Sequence, residues 1–323
     1  MTYRIPLPSG GSRTDLDVID PFSSMVQRFL RREGLHRYEP ETAATLLTLF
    51  EAEGGPFALY DVGANIGLYS HLCAAMFAES EVHAFEPTPE IASICRSIAE
   101  ANNLNVNVIE AAASDAPGTA SLHLSETSDA SNSLVAGFKR AHGSIEVDRI
   151  TLDDYRQRSG VAPAILKIDV ETHEPAVLAG AAAMIEADRP VVVVEVLRRR
   201  KSDQGGAIQS LFDGLGYFYY PLSATPDWVA QDSIRGSGTI ERDWLLSPVE
   251  LPADFGARWS TWQRRLAECS PDRNSRPPIG GAARAAYVRG GLGEMVSSAR
   301  RFMTEDLVPS VRRRLGRGAD SNR

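Results

Sequence analysis

The chain has 323 residues, 43% hydrophobic and 24% charged, enough for one large domain with appendages rather than two equal domains. Its formal net charge of −8 argues against a general nucleic-acid binder, which needs clustered Lys and Arg to meet phosphates. The charge is uneven: residues 271–323 hold eleven Arg against five Asp and Glu, so a basic tail follows an acidic body.

The N-terminus, Met1-Thr2-Tyr3-Arg4-Ile5-Pro6, lacks an apolar signal core, and no run approaches the roughly 18 apolar residues of a spanning helix. Cys73, Cys95 and Cys269 are scattered, without CxxC spacing, which fits reduced thiols rather than a disulfide frame or a zinc site. These features predict a cytoplasmic protein. Asp20-Pro21 reads as an N-cap and first helical position ahead of Phe22, Met25, Val26, Phe29 and Leu30, and a second helix is expected over 40–52, stopped by Gly54-Gly55-Pro56.

From there strand and helix patterns alternate: strand 57–62, helix 68–77, strand 81–85, helix 89–102 and strand 106–111. Residues 119–124 and 145–150 alternate like two-faced strands around a Ser/Asn/Gly segment and read as an inserted antiparallel excursion. The first pattern resumes with strand 164–170, helix 174–187, strand 191–196, helix 207–215, and a final strand pair at 217–220 and 243–246. The fold class is therefore α/β: a doubly wound, mostly parallel sheet covered by helices. No internal repeat is visible. The expected division is a helical N-terminal lid over 1–57, a core over 58–250 and a C-terminal helical extension with a basic tail over 251–323.

Gly63-Ala64-Asn65-Ile66-Gly67 joins the first core strand to its helix, a small-residue turn that lets a ligand touch backbone. The next strand ends in Glu86, where an acid in such a sheet accepts hydrogen bonds from ribose hydroxyls, so the pair predicts a nucleoside-bearing cofactor. Asn65 stands where a dinucleotide fingerprint carries its second glycine, which disfavours NAD. Asp169, Glu171, His173 and Glu174 crowd the C-terminal end of strand 164–170, where parallel sheets place ligands. Asp169 or Glu171 is a candidate base, and His173 starts nearer a useful pKa. Glu174 reads as a favourable first-turn acid of the next helix. Lys167, inside an apolar run, needs a partner if buried; Glu195, at the same edge, is either that partner or part of the substrate cleft.

Tyr38-Glu39, the Asp61-x-Gly-x-Asn-x-Gly67 turn, Phe85-Glu86-Pro87, Ala113-Ser114-Asp115, Ser133-Leu134, Thr151-Leu152-Asp153 and Leu166-Lys167-Ile168-Asp169-Val170-Glu171 together resemble the FkbM family of S-adenosylmethionine (SAM)-dependent methyltransferases, over roughly residues 38–222. The resemblance implies a class I methyltransferase (Rossmann-like) fold, seven strands with the last antiparallel, and methylation of hydroxyls on sugars or polyketide-type products. Carried over, Asp61 heads the turn, Gly63, Asn65 and Gly67 wrap the methionine end of SAM, Glu86 holds the ribose, and Ser114 with Asp115 borders the adenine. Asp169 and Glu171 then face the methyl, with His173 beside them; Glu39, Ser133 and Glu195 fall on the acceptor side. No metal is needed by such chemistry. The family usually has glycine directly after this glutamate, where this chain has Thr172-His173.

Residues 251–323 contain Trp259 and Trp262, a Pro/Gly-rich joint, and Met295, Val296, Ala299, Phe302 and Met303 at helical spacing ahead of Arg312-Arg313-Arg314. This pattern reads as a helix packed on the body or held at an anionic membrane surface, with a homodimer contact as a third reading. The sequence thus points to an O-methyltransferase acting on a sugar of a glycan, glycolipid or glycosylated metabolite. An NAD-dependent oxidoreductase, a non-catalytic SAM- or glycan-binding module and a nitrogen acceptor are the alternatives.

Overall fold

Apolar residues fill strands β3 (Ala58–Val62), β9 (Ile165–Ile168) and β10 (Val191–Glu195) almost without interruption, the composition of strands covered on both faces. A computed structural model describes residues 2–19, 24–126, 128–135, 140–197, 204–236 and 242–269. With β4 (Glu81–Phe85), β5 (Val106–Ile109), β11 (Phe218–Pro221) and β12 (Asp243–Ser247), these strands form a seven-stranded sheet in the order β11-β12-β10-β9-β3-β4-β5. The five strands from β10 to β5 are parallel, while β12 runs antiparallel between β10 and β11. This is the strand order and reversed last strand of the class I methyltransferase sheet expected above.

Because strand side chains alternate, each strand feeds two cores. Leu59, Ile165, Val193 and Leu245 point to one face, where α2 (Pro40–Glu53), α3 (Leu68–Met76) and α9 (Phe255–Glu268) cover them. Tyr60, Leu166, Ile168, Val192, Val194 and Leu246 point to the other, under α5 (Leu152–Ser159), α6 (Glu174–Ala179), α7 (Ala182–Asp188) and α8 (Gln204–Phe212). On the first face α9 joins α2 through polar contacts as well: Trp259 Nε1 donates to Thr45 Oγ1 (3.0 Å) and Gln263 Nε2 to the Pro40 carbonyl (2.9 Å).

Several elements differ from the sequence expectation. The first helix, α1 (Met25–Glu33), starts from Ser24, which forms a reciprocal capping box with Gln27; Asp20, Pro21 and Phe22 lie outside the described residues. The single helix expected over 174–187 is two helices broken at Gly180, where a Cβ would stand 2.0 Å from the Ser114 carbonyl oxygen. Asp153 then restarts the second by accepting the N–H groups of Ala183 and Met184. An N-terminal hairpin, β1 (Thr2–Pro6) with β2 (Asp15–Ile19), was not anticipated. It buries Ile5, Leu16 and Val18 and is tied to α4 (Pro89–Ala101) at its C-cap, where the Asn102 amide pairs with the Asp17 backbone in both directions (2.7 and 2.8 Å).

The antiparallel excursion is present as β7 (Gly118–Ser125) against β8 (Ala141–Ile150), with the short β6 (Ala112–Ala113) beside β8. The three cysteines are free and buried. Among the described residues no helix is long and apolar enough to cross a membrane. The helix expected around Met295 and the Arg312 cluster lie outside the described residues.

Candidate active site

Period-two alternation puts Asp61 and Lys167 on the α2/α3 face, opposite each other at the C-terminal end of β3 and β9. Both are buried, and Lys167 Nζ lies 3.8 Å from Asp61 Oδ1 and 3.4 Å from Asp169 Oδ2. Burial disfavours the Lys167 ammonium, but the facing carboxylates of Asp169 and Asp61 win and hold its pKa above the ordinary value. Asp61 Oδ2 accepts from the Ser70 hydroxyl (2.7 Å) and N–H (3.2 Å), which fixes the strand end to the first turn of α3. Lys167 therefore pairs with Asp61 and Asp169, not with Glu195; Glu195 pairs with Arg242 at 3.0 Å.

The Gly63–Gly67 turn lies directly above this pair. Gly63 and Gly67 both have φ of 78° and Asn65 has φ of 51°, so the chain reverses through left-handed conformations that favour glycine. A Cβ on Gly63 would fall 1.8 Å from the Asp169 carbonyl oxygen, and one on Gly67 would fall 2.4 Å from Cys95 Sγ. At the end of β4 the buried Glu86 turns its carboxylate back toward the same turn, accepting from Asn65 N–H (3.0 Å) and Thr88 N–H (2.8 Å). Glu86, expected from the sequence to hold the ribose, fastens the glycine turn to its strand.

Beyond β9 the chain passes through Glu171 and Thr172, with φ of 54° and 83°. Thr172, where the family pattern has glycine, sits in the very conformation that favours glycine, a strained arrangement for a β-branched residue. Three contacts hold the turn. Glu174 Oε1 accepts from the N–H groups of Val170 (3.2 Å) and Thr172 (3.1 Å), and Ser133 Oγ donates to the Glu171 carbonyl (2.7 Å). The third is His173 Nε2, 2.9 Å from Ser114 Oγ, which in turn bonds Asp115 Oδ1 at 3.0 Å. His173 therefore joins the Ser114–Asp115 corner rather than Asp169, and burial pushes its pKa down. Glu174, read from sequence as a first-turn acid, reaches back over the turn, and burial lifts its pKa to about 7.

Glu39, Asp169, Glu195 and Asp243, from four separate elements, line one narrow recess with Thr42 and Lys167. Glu39 is the left-handed N-cap of α2 and uses its side chain for the site rather than the helix, accepting from Tyr69 O–H at 2.8 Å. Desolvation, then the charge of Asp169, pushes Glu39 up to about 7. The same two causes raise Glu195 and Asp243, and the Thr42 hydroxyl donates to Asp243. Tyr69, Thr42, Arg242 and Asp243 were not singled out by the sequence. For Arg242 and Asp243 the one signal, a charged pair at the start of an apolar strand, is common on surfaces.

Residues 61–219 match the methyltransferase FkbM domain. Over this span the chain carries the likeness to the FkbM methyltransferase family. No curated protein matches the chain. Among solved structures, the chain is similar to a methyltransferase FkbM from Methylobacillus flagellatus (15% identity, TM-score 0.40, covering 59% of this chain and 43% of that one). It is also similar to a SAM-dependent methyltransferase from Agrobacterium tumefaciens (12%, 0.45, 77% and 70%). A third likeness is to the SAM-bound magnesium protoporphyrin IX methyltransferase from Synechocystis (10%, 0.39, 69% and 83%). The chain thus spans less than half the length of the first. The cofactor of the FkbM domain is SAM, and the side-chain-free turn at Gly63 with Glu86 at the neighbouring strand end suits it: the turn offers backbone at a helix start, beside a buried carboxylate.

Proposed function

We propose that the protein is an O-methyltransferase whose acceptor is a hydroxyl on a sugar of a glycan, glycolipid or glycosylated natural product. The observation that carries this reading is the position of Asp169, whose backbone abuts the Gly63 turn while its carboxylate lines the recess shared with Glu39, Glu195 and Asp243. One residue thus borders both the proposed cofactor turn and a narrow recess lined by carboxylates.

In this reading Gly63, Asn65 and Gly67 border the methionine end of the cofactor, Glu86 the ribose, and Ser114 and Asp115 the adenine. When bound, SAM supplies an electrophilic methyl group on a positive sulfur. Asp169 would orient the acceptor hydroxyl toward that methyl. A recess carboxylate would take the proton that the acceptor hydroxyl loses on methylation. Asp169 is already paired with Lys167, whereas among the described residues no cation stands within ion-pair distance of Glu39, so Glu39 is the better proton acceptor. Glu171 contributes through its backbone turn, His173 supports the adenine corner, Ser133 braces Glu171, and Glu195 receives a second acceptor hydroxyl.

The test is methyl transfer from radiolabelled SAM to a panel of neutral sugars, glycosides, amines and carboxylates. Label transferred to a sugar hydroxyl, and lost with Asp169→Asn, is the expected result. Label on nitrogen, or turnover unaffected by Asp169→Asn, would sink the assignment.

A further inference from the structure

The Glu171–Thr172 turn lies between two residues, Asp169 and His173, that each pack against a proposed cofactor-binding segment. On one side Asp169, two residues earlier, packs its carbonyl against Gly63, leaving no room for a Cβ there. On the other, His173 carries its ring to Ser114. Two consecutive non-glycine residues at φ of 54° and 83° do not adopt this shape unaided, so something must hold it. The buried Glu174 carboxylate is placed to do so: one oxygen takes the N–H groups of Val170 and Thr172, bracketing the strained residues, and the other accepts from Gln204 Nε2 at 3.1 Å, which ties the clamp to α8.

Burying a carboxylate is costly without such partners. Both of its oxygens have partners, with the turn on one and Gln204 on the other. Gln204 is itself buried, with its Oε1 lacking any partner among the described residues.

We propose that Glu174 is a positioning residue of the cofactor cleft: by clamping the left-handed Glu171–Thr172 turn, it sets the Asp169 carbonyl against the Gly63 turn and the His173 ring against Ser114. The proposal rests on the methyltransferase reading for its consequence, cofactor affinity, but not for the clamp itself. It makes a distinction among variants. Glu174→Gln keeps an oxygen for both N–H groups, and Gln204 can turn its orphan Oε1 toward the new amide, so this variant retains the clamp. Glu174→Ala removes it. Thr172→Gly, by making the left-handed conformation easy, replaces the clamp by a backbone preference.

The experiment is calorimetric titration of the full chain with S-adenosylhomocysteine, together with hydrogen exchange over residues 168–176 without ligand. Glu174→Ala is expected to weaken binding by about tenfold or more and to speed exchange, Glu174→Gln to stay within about threefold of the parent, and Glu174→Ala/Thr172→Gly to recover most of both losses. A loss confined to melting temperature, with affinity and exchange unchanged, overturns the proposal, as does failure of Thr172→Gly to rescue. If Glu174→Ala does not fold, Glu174→Asp, one methylene shorter, carries the same comparison. Should the parent protein not bind S-adenosylhomocysteine, the cofactor reading fails while the exchange data still decide the clamp.

Discussion

Lys167 and Asp61 are register partners on neighbouring parallel strands, and their charged ends meet 3.8 Å apart where side-chain exposure is 5% and 1%. Two opposite charges at such depth sustain one another, since either alone would bear the full cost of desolvation. Lys167 also carries Asp169, so the pair links the strand floor to the proposed acceptor recess.

Lys167→Met should therefore destabilise the fold by about 3–5 kcal/mol, because it strands the buried Asp61. Adding Asp61→Asn should return part of that loss. Urea unfolding of the two variants measures both effects, and additive losses in the double variant would contradict the pairing.

Gly63→Ala combines a disfavoured φ of 78° with a Cβ 1.8 Å from the Asp169 carbonyl oxygen, a backbone atom that cannot swing aside. A cost of about 2 kcal/mol or more is expected. Binding of S-adenosylhomocysteine should be lost with it. Gly214→Ala, with a similar φ of 80° but nothing within 4 Å of its Cβ, is the control that isolates the collision from the conformational strain.

Glu86→Ala removes the carboxylate that takes the N–H groups of Asn65 and Thr88. Affinity for S-adenosylhomocysteine should fall at least roughly tenfold, with NAD not bound by either protein. Calorimetry settles the matter; undiminished affinity would remove Glu86 from the cofactor site.

Glu39, at about 7 in the folded protein against an ordinary value of 4.5, binds more protons folded than unfolded between those limits. Stability attributable to it is therefore present at low pH and falls as pH rises through that window. Glu39→Gln lacks this liability, so its melting temperature should gain on the parent between about pH 5 and about pH 8. Glu174, raised to about 7 by burial, drifts in the same direction but is common to both proteins, and the difference isolates Glu39. A gap independent of pH would refute the assignment. Methyl transfer should suffer in the same variant, so stability and activity move oppositely.

The strand-end turn and the acids around it were legible in the chain before its fold. The spacing of Asp61, Gly63, Asn65, Gly67 and Glu86 is local, set by one strand, one turn and the next strand end, and local geometry follows sequence spacing. Asp169 was legible for the same reason, as the acid ending a buried parallel strand. The recess was only half legible: Glu39 and Glu195 were named, but Tyr69, Thr42, Arg242 and Asp243 reach them from elements up to 201 residues apart in sequence, as the Thr42–Asp243 bond shows.

By itself the sequence determined the alternation of strands and helices, the glycine turn and the acids at the strand ends, because each depends on side-chain period, backbone permissiveness or residue type over a few positions. Only the tertiary structure decided which of those acids are paired, clamped or left for chemistry. Lys167 chose Asp61 and Asp169 over Glu195, His173 turned to Ser114, and Glu174 turned back on its own loop. Those choices depend on the sheet order and on the helices packed across it, and on distances of a few ångströms between residues far apart in the chain, where Coulomb energy and desolvation compete.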